Sequence, residues 1–380
     1  MKKKNVYSVV DFQKSNAIEM KRVISIILFS LIVFSCEEND NLRPEPVNRT
    51  IIVYMAADND LAADALSDME EMKQSFSENG VSLIVFADLS DEAPYLLQIG
   101  QDKETFIKSY PELNSADANT LKEVIQEIVD MYPALEYGLI LWSHGTSWMP
   151  SGSGLRSFVK DSGKEMNITD LAESLPVKFD FILFDACLMG SVEVIYELKD
   201  KANFIIASST ETIYTGFPYD EIIPELLKLQ IDFHAVVQHY FDYYNSLQGA
   251  YRSATVSVVE TKHLPELATQ LKLLFENNAF DRETFNRAAV QRLDVYEEQY
   301  CFDLLDFVDE ALPNVNKKDF IAQLERAVVY KNHTPQFLQL YDINTYCGLS
   351  SYIPHPQRND LNNYYKGLEW YADSGINYLF

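Results

Sequence analysis

The chain has 380 residues, 47% of them hydrophobic and 13% aromatic, enough apolar material to bury a large core and too much for a disordered chain. Its formal net charge of -26 argues against nucleic acid as a partner, because phosphates are repelled over most of the surface. Four cysteines without a CxxC pair and six histidines without HExxH spacing speak against a disulfide scaffold and against a dedicated metal site.

The first informative segment starts at Met20, where two basic residues precede an apolar run from Val23 to Phe34 that ends on Ser35 and Cys36. The run falls short of the roughly 20 residues that span a bilayer, so it has the anatomy of a removable signal peptide. Residues 1–19 precede this second Met and are set aside as a start-site artefact. Val33 and Ser35 stand where a bacterial lipobox has its residues, which makes Cys36 the lipid-bearing residue; in an ordinary secretory signal Cys36 is incidental. Glu37, Glu38, Asn39 and Asp40 resemble the stretch after the lipidated cysteine of Bacteroides-type surface lipoproteins. The expected organisation is a signal region over 1–35, Cys36 with a polar tether over 36–49, and a folded domain over 50–380. The protein is then exported and held at the outer membrane by a lipid anchor, exposed at the surface.

Thr50 to Met55 is a β-branched run that predicts a strand, and Leu61, Ala65 and Met69 then fall on one helical face. Val81 to Phe86 and the shorter Tyr95 to Ile99 predict strands, and Leu121 to Val129 a helix. Two further apolar runs follow, Tyr137 to Trp142 and Phe179 to Phe184, with a helix start at Asn167 between them. A helix after Gly190 and a strand from Asn203 continue the alternation. Beyond them the spacing predicts a helix over Leu226 to Leu247, a strand over Ala254 to Val259, a helix over Leu264 to Phe275 and a late strand over Gly348 to Ile353. Continuous apolar strands alternating with helices specify an α/β fold, a mostly parallel sheet flanked by helices on both faces, with additional C-terminal α/β elements. Ligands of such sheets bind beyond the carboxyl ends of the strands.

Two of those ends carry reactive side chains, His144 after LILWS and Cys187 after ILFDA. A cysteine is a useful nucleophile as thiolate, and a neighbouring imidazole together with a helix starting a few residues later supplies that. Gly145 lets a substrate carbonyl approach the backbone, so its N–H and that of Cys187 form a candidate oxyanion hole. No third, acidic member stands out. Taken singly, Cys187 reads more often as a small core residue and His144 as a turn residue; together, at equivalent places on two strands, they read as a catalytic pair.

The segments VYMAADNDL (Val53 to Leu61), LILWSHGTSW (Leu139 to Trp148), FDACLMGSVEVIYEL (Phe184 to Leu198), FPYD (Phe217 to Asp220) and GLSSYIP resemble, in this order, the clostripain family of cysteine peptidases. The resemblance implies a caspase-like fold, a Cys187–His144 dyad and cleavage after a basic P1 residue, Arg above all. Asp185, two residues before the nucleophile, takes the place of the family's specificity carboxylate; a carboxylate capping the following helix fits its position equally. Glu211, and after it Asp220, are candidates for a second acid, since a guanidinium needs carboxylate partners. Family members mature by a cut between histidine and cysteine, and Arg156, Lys160 and Lys164 lie in the Gly/Ser-rich stretch there, which reads also as a plain crossover loop.

The chemistry requires no cofactor. Calcium stays open, since clostripain depends on it, although the carboxylates of Asp58 to Asp68 depart from EF-hand spacing. The partners expected are proteins or peptides carrying basic residues. The competing readings are a surface lipoprotein that has lost catalysis and binds peptide or glycan, and another thiol acyl-transfer enzyme.

Overall fold

The computed structural model describes residues 45–379 apart from 91, 152–157 and 162–163, with side chains also left out over 158–161. The expected signal region, Cys36, most of the tether and Arg156 thus lie outside the described residues. From Glu45 onward the chain forms one compact unit.

Strand β1 (Val47–Ala57) leads into helix α1 (Ala62–Ser75), followed by β2 (Val81–Leu89), β3 (Tyr95–Gly100), β4 (Lys103–Ser109), α2 (Ala118–Met131) and β5 (Ala134–Trp142). A short hairpin of β6 (Phe158–Asp161) and β7 (Lys164–Met166) precedes α3 (Ile168–Ser174), β8 (Phe179–Asp185), α4 (Val192–Glu197) and β9 (Ala202–Ala207). Then come α5 (Tyr219–Leu226), α6 (Phe233–Ser246), β10 (Thr255–Glu260), α7 (Leu264–Asn277), β11 (Phe302–Asp303), α8 (Leu304–Ala311), α9 (Lys318–Ala327) and β12 (Val328–His333). The chain closes with β13 (Gln336–Phe337), β14 (Tyr341–Asp342), β15 (Ser350–Ser351), α10 (Asn359–Tyr365) and α11 (Glu369–Asp373).

One nine-stranded sheet runs in the order β12-β10-β9-β8-β5-β1-β2-β3-β4. Its centre, β9 to β2, is parallel, and antiparallel pairs extend it at both edges. The central strands read as unbroken apolar runs because both faces are covered. Ile51, Val53 and Met55 pack with α1, α5 and α6, whereas Ile52 and Tyr54 face α2, α3 and α4 on the other side. The expected α/β architecture is therefore the observed one.

Several elements depart from the sequence reading. The helix expected over Leu226 to Leu247 is two helices, because the Asp232 side chain accepts the N–H groups of His234 and Ala235 and starts α6 afresh. The late strand over Gly348 to Ile353 shrinks to β15, which pairs with β11 outside the main sheet. Edge strands β4 and β12 went unpredicted, since KETFIKS is mostly exposed and neither carries an apolar run long enough to announce itself.

Candidate active site

The site grows from the register of two strands. In the parallel pair β5 and β8, Trp142 stands opposite Asp185, and the Ser143 N–H carries the ladder one step on to the Asp185 carbonyl (3.3 Å). His144 and Cys187 therefore follow two residues after a matched pair. Both line one cleft of about 280 Å³, together with Asp60, Leu61, Trp142, Asp185, Thr212, Tyr214 and Gly216.

Each turn is pinned. Ser143 Oγ donates to the Ala56 carbonyl (2.8 Å) and Ser147 Oγ to Ser191 Oγ (2.7 Å), which fixes both ends of the His144 turn. After Cys187 the backbone turns through Leu188 at φ 64, a left-handed conformation that costs a side-chain-bearing residue about 1 kcal/mol or more. The Leu188 N–H to Thr210 carbonyl bond (2.8 Å) and the Gly190 N–H to Ser208 carbonyl bond (2.7 Å) hold it there. Gly190 is required at this crossing, since a Cβ would lie 2.7 Å from the Ser209 nitrogen.

The thiol has a further neighbour besides those expected. Helix α4 begins at Val192 and is six residues long, capped by Ser191, so its dipole is a small term at Cys187. In addition, the Thr212 N–H donates to Cys187 Sγ at 3.3 Å, a bond that strengthens as the sulfur becomes negative. Cys187 is half-buried in the cleft, whereas Cys301 and Cys347 are buried free thiols whose pKa values burial pushes up. Among the described cysteines, Cys187 is the one placed for chemistry.

His144 has an acidic partner that the sequence reading missed. Asp60, in the turn from β1 to α1, accepts from His144 Nε2 at 2.9 Å. An ionised carboxylate can only accept, so the tautomer that makes this bond carries its proton on Nε2 and presents Nδ1 as the acceptor. The signal was present in AADNDL, a polar turn directly after a buried strand, at the same sheet edge as both reactive residues.

Gly145 packs against the nucleophile turn: a Cβ there would sit 2.5 Å from the Cys187 carbonyl oxygen and 3.1 Å from its nitrogen. Asp185 is 5% exposed at the cleft base, where its Oδ2 accepts the Phe217 N–H and the Tyr219 hydroxyl, each at 3.0 Å. It does not cap α4. Burial, the largest influence, holds its carboxyl above the ordinary carboxylate range, opposed by those two donors.

Glu211 does not line the cleft; its Oε1 accepts the Val295 N–H at 3.0 Å, and burial lifts its carboxyl to about 7. Asp220 is exposed on α5 and also lies off the cleft, acting on Glu71 of α1. Lys164 is exposed on β7, and the Lys160 backbone lies in β6. The carboxylates of Asp58 to Asp68 diverge, Asp60 to His144 and Asp68 to Trp142, and among the described residues no group of three or more His, Cys, Asp or Glu side chains converges on a metal position. The aromatic cluster of Trp148, Tyr352 and Tyr365 is buried and fills core.

A thiol and an imidazole at the carboxyl ends of adjacent parallel strands, on a caspase-like sheet, define the class: a cysteine-dependent acyl-transfer enzyme. The chain belongs to the clostripain family of cysteine peptidases, whose profile matches residues 53–367. It is 28% identical to clostripain of Hathewaya histolytica over 219 residues, 47% of this chain and 42% of that protein, so the match spans under half of that relative's length. Among solved structures it is similar to an inactive zymogen C11 protease from Parabacteroides distasonis (33% identity, 87% of this chain and 99% of that one, TM-score 0.77). It is also similar to a secreted C11 cysteine protease from Bacteroides thetaiotaomicron in complex with an irreversible peptide inhibitor (28% identity, 86% and 99% coverage, TM-score 0.77).

Proposed function

We propose that the chain is an exported cysteine endopeptidase that cleaves after basic P1 residues, Arg before Lys. The observation that carries this reading is the single cleft in which Cys187, His144 and the buried carboxylate of Asp185 meet. Cys187 Sγ gives its proton to His144 Nδ1 and attacks the scissile carbonyl; the Gly145 and Cys187 N–H groups hold the oxyanion that forms. His144 then protonates the leaving amine, and water, deprotonated by the same nitrogen, hydrolyses the thioester and restores the thiol. Asp60 holds the Nε2 proton, so protons are taken up and returned at Nδ1, and the steps need no cofactor.

Asp185 lines the cleft and is the carboxylate assigned here to the cationic head of the P1 side chain, since removing a bare cation from water is worthwhile only against such a carboxylate. Export is supported by the apolar run before Cys36 and by the secreted relative; lipidation of Cys36 and surface exposure at the outer membrane belong to the same proposal. Cuts at Arg156, Lys160 or Lys164 would then be self-processing by the specificity proposed.

A panel of fluorogenic peptides with Arg, Lys or norleucine at P1, with calcium or chelator added, tests the reading. Cleavage is expected after Arg and Lys; a chain that cleaves the norleucine peptide as well or better loses the basic specificity, and one that cleaves none is a binding protein on a peptidase fold. Gly145→Ala is expected to lower kcat about 10²-fold, because its Cβ drives the two turns apart by a fraction of an ångström where the oxyanion donors meet. The same change should cost about 1–3 kcal/mol in stability as local overpacking, read from thermal unfolding.

A further inference from the structure

Behind Asp185 lies a second carboxylate that the proposed chemistry has not used. Asp68 projects from α1 into the core, 3% exposed, and its Oδ2 accepts the Trp142 indole N–H at 2.8 Å. Trp142 lines the cleft and stands opposite Asp185 in the sheet, so Asp68 is one indole ring from the pocket. The wall is closed by the segment that covers Asp185: a Cβ on Gly216 would meet the Asp185 carboxylate at 2.5 Å, and Glu71 of α1 accepts the Tyr219 N–H at 3.1 Å.

No cation is among the main influences on this pair. The charges acting on Asp68 are Asp185 from β8 and then Glu71 and Asp64 from its own helix, and all are negative. Tyr219 of α5 and Tyr244 of α6 also face the two acids, and their phenols are held neutral, with pKa values pushed far up by burial. Two carboxylates out of water beside each other cannot both be ionised at neutral pH. Asp185 accepts two donors and Asp68 one, so the negative charge settles on Asp185 and the proton on Asp68. Burial first and Asp185 second hold the Asp68 carboxyl far above the ordinary range.

We propose that Asp68 is a positioning residue of the specificity pocket: a buried carboxylic acid behind Trp142 that releases its proton to solvent when a cationic side chain enters the cleft. The step balances: neutral Asp68, anionic Asp185 and an incoming ammonium or guanidinium become two carboxylates and one cation, with Asp185 against the cation and Asp68 behind Trp142, and one proton passes to the buffer. Recognition of a basic residue is thereby coupled to proton release, and affinity rises with pH across the span from the ordinary carboxylate range to the raised value of Asp68. This inference rests on Asp185 as the carboxylate of a basic-residue pocket, and the test separates the two.

The full chain carrying Cys187→Ala, which binds without turnover, is titrated by calorimetry in two buffers of different ionisation enthalpy. The ligands are one peptide with Arg at P1 and its norleucine counterpart. The expected result is release approaching one proton for the Arg peptide and none for norleucine, with Arg affinity climbing by up to about tenfold per pH unit. Added Asp68→Asn should still bind the Arg peptide, more weakly, with a pH profile that is flat above the range in which Asp185 itself titrates and with no proton release there. Preference for Arg without proton release, or release unchanged by Asp68→Asn, overturns the role of Asp68 and leaves the basic pocket standing. No preference for Arg removes the pocket itself. Should Asp68→Asn fail to fold, difference infrared spectroscopy of the parent decides: the band of a protonated carboxyl must disappear as the Arg peptide binds, and a flat carboxyl region overturns the proposal.

Discussion

Cys187→Ala is expected to lower kcat/KM on an Arg peptide by at least about 10⁴-fold while the protein stays folded. The loss is large because the sulfur forms the bond on which every later step depends, and no other described cysteine reaches the cleft: Cys301 and Cys347 are buried, with 2% exposure each. Folding should survive because Ala removes one sulfur from a half-buried position and leaves the turn to its main-chain bonds, Leu188 N–H to the Thr210 carbonyl and Gly190 N–H to the Ser208 carbonyl. Cys187→Ser should be nearly as inactive, since a hydroxyl is far harder to ionise than a thiol beside one imidazole. The measurement is turnover with a control of the thermal midpoint; persistent cleavage by a well-folded Cys187→Ala chain would place the nucleophile elsewhere.

The second large effect is on selectivity. Asp185→Asn is expected to reduce kcat/KM for Arg at P1 by roughly 10²–10³-fold, the scale of losing one partner of a buried charge pair. Hydrolysis of a norleucine peptide should change by no more than a few-fold. The amide oxygen of Asn can still accept from the Phe217 N–H and Tyr219 hydroxyl, so the segment over the pocket keeps its anchor while the charge is gone. An equal fall on both substrates would instead make Asp185 a structural anchor. In the unmodified chain, cleavage after Arg should decline as pH falls through the raised range of the Asp185 carboxyl, because protonation removes the charge that the P1 cation needs.

The clearest contrast is between the two kinds of acid. Asp185 is picked out by the family resemblance, which points two residues before Cys187, on a strand whose every residue but Asp180 is buried. Its companions are not. Glu211 and Asp220 follow the next strand on the correct edge, yet the loop after β9 spends its Thr212 N–H on Cys187 Sγ, and the Glu211 carboxylate meets Val295. Asp60, which meets the His144 imidazole, and Asp68, which meets the Trp142 wall of the cleft, sit 84 and 74 residues from these partners.

The sequence by itself determined the central strands, the helices between them and the placement of His144 and Cys187 just past two strand ends. A strand covered on both faces must be continuously apolar, and the first polar residues after it mark where it leaves the core. Only the tertiary structure decided that β1 stands between β5 and β2, that the exposed β4 and β12 complete the sheet, and that α1 brings Asp68 behind the pocket. Periodicity records whether a residue is buried; which distant residue it is buried against depends on strand order and helix rotation, and these are settled when the whole core packs at once.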